Sequence, residues 1–185
     1  MLIADNSGEI VFDRLMIEEM KAKYPNLHVT VMVRGAEVSN DATMEDAVYV
    51  GMDKVATLVS TGVPVAGAIP EMITEEALLA MKNADVILSK GQGNYESLFG
   101  QGYHIFFSFL CKCDMFVKHF GVERFTGMIV EEPDAKKLDL FLKQKETLDT
   151  FIKHGAITPA QYQKSFGDLK VKMGLEKYCE VHNLG

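Results

Sequence analysis

The stretch MLIADNSGEIVFDRLMIEEMKAKYPNLHVTVMV, Met1 to Val33, decides the fold. Met1 to Ala4 read as a buried strand, and Asp5-Asn6-Ser7-Gly8-Glu9 as the loop that follows it. Val11, Phe12, Leu15, Met16 and Met20 then fall on one helical face. Pro25 closes that helix before Leu27, Val29, Val31 and Val33 alternate as a second strand. Strand, loop, helix and strand make one βαβ unit, and the same rhythm continues along the chain. Strands are expected near 2–4, 27–33, 55–59, 86–89, 104–109 and 128–131. Thr43 is placed to cap a helix running through Val50, and Thr74 precedes the acidic turn Glu75-Glu76. Asp114 to Phe120 reads as a helix stopped by Gly121. Runs such as Val86-Ile87-Leu88 and Ile105-Phe106-Phe107 are too apolar for a sheet with one wet face. They predict a mostly parallel sheet covered by helices on both sides.

After Pro133 the character changes. Residues 134–185 carry nine Lys and seven acidic residues, a formal +2, against −9 on residues 1–133. Leu138, Phe141, Leu142, Leu148, Phe151 and Ile152 predict an amphipathic helix stopped by Gly155. Thr158-Pro159-Ala160-Gln161 supplies a capping box for a second helix, striped by Tyr162, Phe166, Leu169 and Met173 and ended by Gly174. The division expected is residues 1–133 as an α/β domain and 134–185 as a helical hairpin, whose apolar stripes suggest a homo-oligomer.

At 185 residues, with 48% hydrophobic and 24% charged residues, the composition is that of a folded globular chain. The formal charge of −7 argues against nucleic acid as a partner. No apolar run reaches the length of a membrane span. Cys111, Cys113 and Cys179 show no paired spacing, which argues against a disulfide framework and fits a reducing cytoplasm. The first residues show no basic segment followed by a signal-peptide core, and the first strand has no lead-in. That start is expected of a shortened chain or an abbreviated relative of something longer.

In an open parallel sheet, ligands bind beyond the carboxyl ends of the strands. The polar residues following each predicted strand gather there: Asp5-Asn6-Ser7-Gly8-Glu9, then Arg34-Gly35 and Asn40-Asp41-Ala42-Thr43, then Ser60-Thr61-Gly62, Ser89-Lys90-Gly91-Gln92-Gly93-Asn94, and Lys112. Asp5, Asn6 and Asp41 offer the hard oxygen donors that Mg²⁺ and Mn²⁺ favour, or else they cap a helix and make a turn, as Asx residues commonly do. Gly91 to Asn94 is either a phosphate cradle, with Lys90 as its point charge, or a plain glycine turn. It matches neither the P-loop nor the dinucleotide fingerprint. The five His are scattered, and the cysteines have no adjacent base.

The segments Asp5-Asn6-Ser7-Gly8-Glu9-Ile10-Val11-Phe12-Asp13, Asn40-Asp41-Ala42-Thr43-Met44-Glu45-Asp46-Ala47 and Lys90-Gly91-Gln92-Gly93-Asn94-Tyr95-Glu96, followed by Lys112-Cys113, resemble the damage-control phosphatase family, once known as domain of unknown function 89. The likeness runs over about residues 1–131. It implies a three-layer, Rossmann-like αβα core and a phosphatase supported by Mn²⁺, Co²⁺, Ni²⁺ or Mg²⁺, acting on small phosphorylated metabolites such as sugar phosphates or damaged cofactor precursors. It implies metal ligands at Asp5, Asn6 and Asp41 and phosphate or substrate contacts from Lys90 and Asn94, with Glu9 pointing toward the same site. Arg34 and the loop glycines Gly91 and Gly93 join them as candidate substrate contacts, and Asp5, Asp41 and Lys90 are the catalytic candidates. The family's helical region ahead of the first strand has no counterpart here, and the tail is foreign to its core. A non-catalytic module that holds metal and a phosphorylated ligand is the alternative. A methyltransferase-like activity lacks its glycine-rich loop, since Asp5-Asn6 stand there instead.

Overall fold

The computed structural model describes residues 1–133 and 135–184; positions 134 and 185, the two ends of the predicted C-terminal segment, lie outside the described residues. Six strands, β1 (Leu2–Ile3), β2 (Thr30–Val33), β3 (Thr57–Ser60), β4 (Ile87–Lys90), β5 (Ile105–Leu110) and β6 (Gly127–Glu132), form one sheet in the order β3-β2-β1-β4-β5-β6. The first five are parallel, and β6 returns antiparallel to β5. Each predicted strand is present within a few residues of its expected place. The chain winds outward from β1 to β3, then crosses back to β4 on the other side of β1. The carboxyl ends of β1 and β4 therefore flank the switch point, where an open α/β sheet leaves a crevice.

Five helices pack on this sheet or along its edges: α1 (Ile10–Lys23), α2 (Met44–Tyr49), α3 (Glu75–Lys82), α4 (Gln92–Leu98) and α5 (Asp114–Phe120). Thr43 caps α2 with a complete capping box to Asp46, Thr74 caps α3, and Gly121 ends α5 in the left-handed conformation. One core, on one face of the sheet, holds Ile3, Met32, Ile105, Phe107, Phe109 and Phe116 with Tyr95 at its centre. The other holds Leu2, Val31, Val33, Ile10, Ile17 and Ala47.

The apolar face read into α1 is not the buried one. Val11, Phe12, Leu15 and Met20 are exposed, Phe12 by 71%, while Ile10, Asp13 and Ile17 face the core. The helix turns an acid inward because a lysine of β4 receives it.

The tail forms α6 (Ala135–Lys153) and α7 (Pro159–Met173), packed together around Phe141, Tyr162, Phe166 and Leu169. A further six-residue helix, α8 (Glu176–Val181), was not legible in the sequence. It extends the hairpin back onto the sheet beside β6, where His182 stacks on Phe99.

Glu132 of β6 is buried, and its carboxylate accepts the Gly100 N–H at 2.9 and 3.0 Å. Burial outweighs the backbone N–H donors and pushes its pKa up to about 7. The native state thus holds a proton that the unfolded chain releases at lower pH. Stability contributed by the neutral form is present near pH 4.5 and is lost as pH rises through 7, by up to about 3 kcal/mol. Urea denaturation at pH 5 and pH 8 should show this loss in the parent protein, and Glu132→Gln should flatten it.

Candidate active site at the sheet switch point

The loops after β1 and β2 are knitted together by main-chain bonds. Ala42 N–H donates to the Asp5 carbonyl at 2.7 Å, Ser7 N–H to the Asn40 carbonyl at 2.8 Å, and Arg34 N–H to the Ala42 carbonyl at 2.8 Å. An isolated antiparallel bridge sets Asn6 beside Asp41, and a parallel one sets Arg34 beside Thr43. This register brings Asp5, Asn6 and Asp41, 36 residues apart at their extremes, to one junction.

The Asp5 carboxylate lies against the α-carbon of Gly91. A β-carbon built at Gly91 would sit 2.2 Å from Asp5 Cγ, and the residue has φ +85°. Only glycine combines that backbone with that approach. Burial, then the charges of Asp41 and Glu9, push the Asp5 pKa up, against the pull of Arg34 and Lys112. The Asn6 amide donates to Asp5 Oδ2 at 3.1 Å and to Glu9 Oε1 at 3.3 Å, while its oxygen accepts from Asn40 and retains a second lone pair.

Arg34 and Asn94, expected as substrate contacts, do not reach a cleft wall. Arg34 is 2% exposed; its Nε donates to Asp41 Oδ2 at 2.6 Å and its Nη2 to Asn94 Oδ1 at 2.9 Å. Asn94, fully buried, spends its amide on the carbonyls of Ala4 and Lys90. The pair braces Asp41 from behind. Arg34 Nη1 is buried with no partner among the described residues.

The glycine turn is likewise less open than a cradle requires. Gly91 N–H is committed to the Ser108 carbonyl at 2.9 Å, and Gly93 backs onto Gly67 rather than onto the cleft. Gly91 still lines the cleft.

Lys90 is paired twice, to Glu9 at 2.6 Å and to Asp13 at 2.8 and 3.0 Å. Burial opposes its charge, but the two carboxylates outweigh it and hold the ammonium above the ordinary lysine value. The same contact holds Glu9 below its ordinary value despite partial burial. Sequence reasoning missed Asp13 as a site residue. Its signal was there: Ile10, Asp13 and Ile17 share a helical face, and an acid on an apolar stripe asks for a buried cation. It also left Lys112 aside. Lys112 is exposed on the cleft wall, has no carboxylate partner among the described residues, and lowers both Asp5 and Glu9 by its charge.

Asp5, Asn6, Glu9, Lys90 and Lys112 line a cleft of about 450 Å³ that continues over β5 and β6. Asp41 fronts a neighbouring cleft of about 390 Å³ with Asn40, Thr43 and Asp46. The acidic and amide donors therefore form the ridge between two depressions. Among the described residues no group of three or more His, Cys, Asp or Glu is arranged to hold a metal. The donor set that fits one is two carboxylates, Asp5 with its proton affinity raised in part by the charge of Asp41, and one carboxamide, all hard oxygen donors.

The sequence profile of the damage-control phosphatase ARMT1-like domain matches residues 1–127. The chain belongs to this family. Relatives of it include an uncharacterised protein of Methanocaldococcus jannaschii, 45% identical over 98 residues, covering 53% of this chain and 32% of that one. A damage-control phosphatase of Pyrococcus horikoshii is 34% identical over 125 residues, covering 67% and 43%. One of Archaeoglobus fulgidus is 38% identical over 122 residues, covering 65% and 42%. The crystal structure of a Pyrococcus horikoshii DUF89 family protein superposes with a TM-score of 0.66 at 32% identity, over 70% of this chain and 46% of that one. The chain thus spans less than half the length of these relatives. The family match stops at the start of β6, so the tail helices lie beyond it.

Gly91→Ala should strain the turn and displace Asp5, lowering stability by about 2 kcal/mol in urea denaturation. Gly8→Ala, where a β-carbon meets nothing within 4 Å, should change it little.

Proposed function

We propose that this chain is a metal-dependent phosphomonoesterase acting on small phosphorylated metabolites, sugar phosphates among them. The observation that carries the reading is the junction itself: Asp5 and Asp41, drawn together at the switch point by paired loops, beside the ammonium of Lys112, which no carboxylate claims among the described residues. Asp5, Asn6 and Asp41 would hold one divalent cation, Mn²⁺, Co²⁺, Ni²⁺ or Mg²⁺, which supplies Lewis-acid neutralisation of a phosphoryl group.

The chain's own residues do the rest. Gly91 lets Asp5 stand at the strand end, where it is the carboxylate candidate for attack on phosphorus. The Arg34–Asn94 brace fixes Asp41 in reach of the same point, so both acids are set before substrate arrives, which is where such a site gains most. Lys112 meets the phosphate charge at the cleft wall. Lys90, held by Asp13, keeps Glu9 ionised at the mouth. Such a transfer proceeds through a loose transition state in which charge is spread over the phosphoryl oxygens, so positioning and charge supply most of the rate.

A second reading is a binding module that holds metal and a phosphorylated ligand without turnover. The chain's coverage of less than half of its relatives favours keeping it.

Protein stripped with chelator and then given each of the four metals should release phosphate from a sugar phosphate or an aryl phosphate, and Asp5→Ala should abolish the release. Stabilisation of the fold by metal and inorganic phosphate with no release from any ester would support the binding module.

A further inference from the structure

The cleft has two chemically different ends. Beyond Lys90 and Lys112 it runs over the antiparallel pair of β5 and β6, whose register sets Ser108 opposite Ile129 and Leu110 opposite Gly127. Side chains alternate across a strand, so Ser108, Leu110 and Ile129 share one face. Phe107, Phe109 and Val130 turn to the opposite face and are buried in the core. The outward face is left open: Ile129 is 70% exposed and Leu110 46%. Gly127 contributes no side chain opposite Leu110, and a β-carbon there would stand in open space.

We propose that this apolar wall is the leaving-group subsite, and that the preferred esters carry an apolar or aromatic group on the phosphate oxygen rather than a bare polyol. The inference rests on the phosphomonoesterase reading for the charged end of the cleft. What selects this occupant is continuity. The apolar surface and the ammonium of Lys112 line one depression, so an anionic head seated near Asp5 and Lys112 projects its substituent along β5 and β6. A polyol there would set its hydroxyls against the apolar side chains of Leu110 and Ile129 and gain little from covering them. A ring would remove those side chains from water.

The test uses two phosphonates, which bind without being hydrolysed. Calorimetric titration of the Mn²⁺-loaded protein with phenylphosphonate and methylphosphonate should show the phenyl compound binding about tenfold tighter. Ile129→Ser and Gly127→Leu, one removing apolar surface and one placing a side chain in the space beside Leu110, should each narrow that ratio towards one, and Ile129→Leu should restore it. A ratio near one in the parent protein, or one that neither variant moves, overturns the proposal. An unmoved ratio together with a fall from dimer to monomer mass in Ile129→Ser would give the wall to a second copy of the chain instead. Phosphate release measured on the same preparation separates the two claims. Release without phenyl preference sinks the subsite and leaves the phosphatase standing, whereas phenyl preference without release sinks the phosphatase and with it the leaving-group role, leaving the wall only as a contact for an apolar ligand.

Discussion

A buried guanidinium organises the functional edge of this protein. Arg34 leaves the end of β2, binds Asp41 from the next loop, and binds Asn94 at the start of α4. Asn94 in turn holds the carbonyl of Ala4, just past β1, and the last carbonyl of β4. Three stretches far apart in sequence, at Ala4, at Arg34 to Asp41 and at Lys90 to Asn94, are thereby tied behind the crevice. A charge this deep is tolerated only while paired, and removing one partner of such a pair typically costs about 3–5 kcal/mol. The position of Asp41 follows from the arginine behind it.

The same logic recurs one layer out. Lys90 sits between β4 and α1 with two acids on its three protons, Asp13 from below and Glu9 from the mouth. Buried Asp13 gives the lysine a fixed seat, and Glu9 is the partner that solvent and ligands can reach. With Lys90 neutralised twice, Lys112 is the cation of the cleft with charge to spare. The electrostatic pattern is therefore graded: Asp13 and Arg34 are buried and committed, their partners Lys90 and Asp41 reach toward the crevice, and Lys112 stands exposed at the wall.

Much of the fold was legible because its signals are local. Alternating valines, the Thr43 and Thr74 caps and the Gly121 and Gly174 stops each act within a few residues, and all are seen where the sequence puts them. The junction of Asp5, Asn6 and Asp41 was legible for a different reason: parallel topology sends the loops after β1 and β2 to the same edge. The misread side chains all have partners far along the chain. The helical face with Phe12 is more apolar than the one with Asp13, and nothing near residue 13 shows that a lysine 77 positions later will neutralise it. Arg34 and Asn94 follow strands, as substrate contacts do, yet their 60-residue separation hides that they bind each other. Helix α8 is too short to show a period. The antiparallel return of β6, which opens the apolar wall, leaves no mark that distinguishes it from another parallel strand.

The account stands or falls on a cation bound between the two loops. Titration of the chelator-stripped protein with Mn²⁺, followed by the loss of the free-ion paramagnetic resonance signal, measures this directly. The account predicts one site per chain, weakened at least tenfold by Asp41→Asn in protein whose circular dichroism is unchanged. Equal Mn²⁺ affinity in the parent and in folded Asp41→Asn would contradict it.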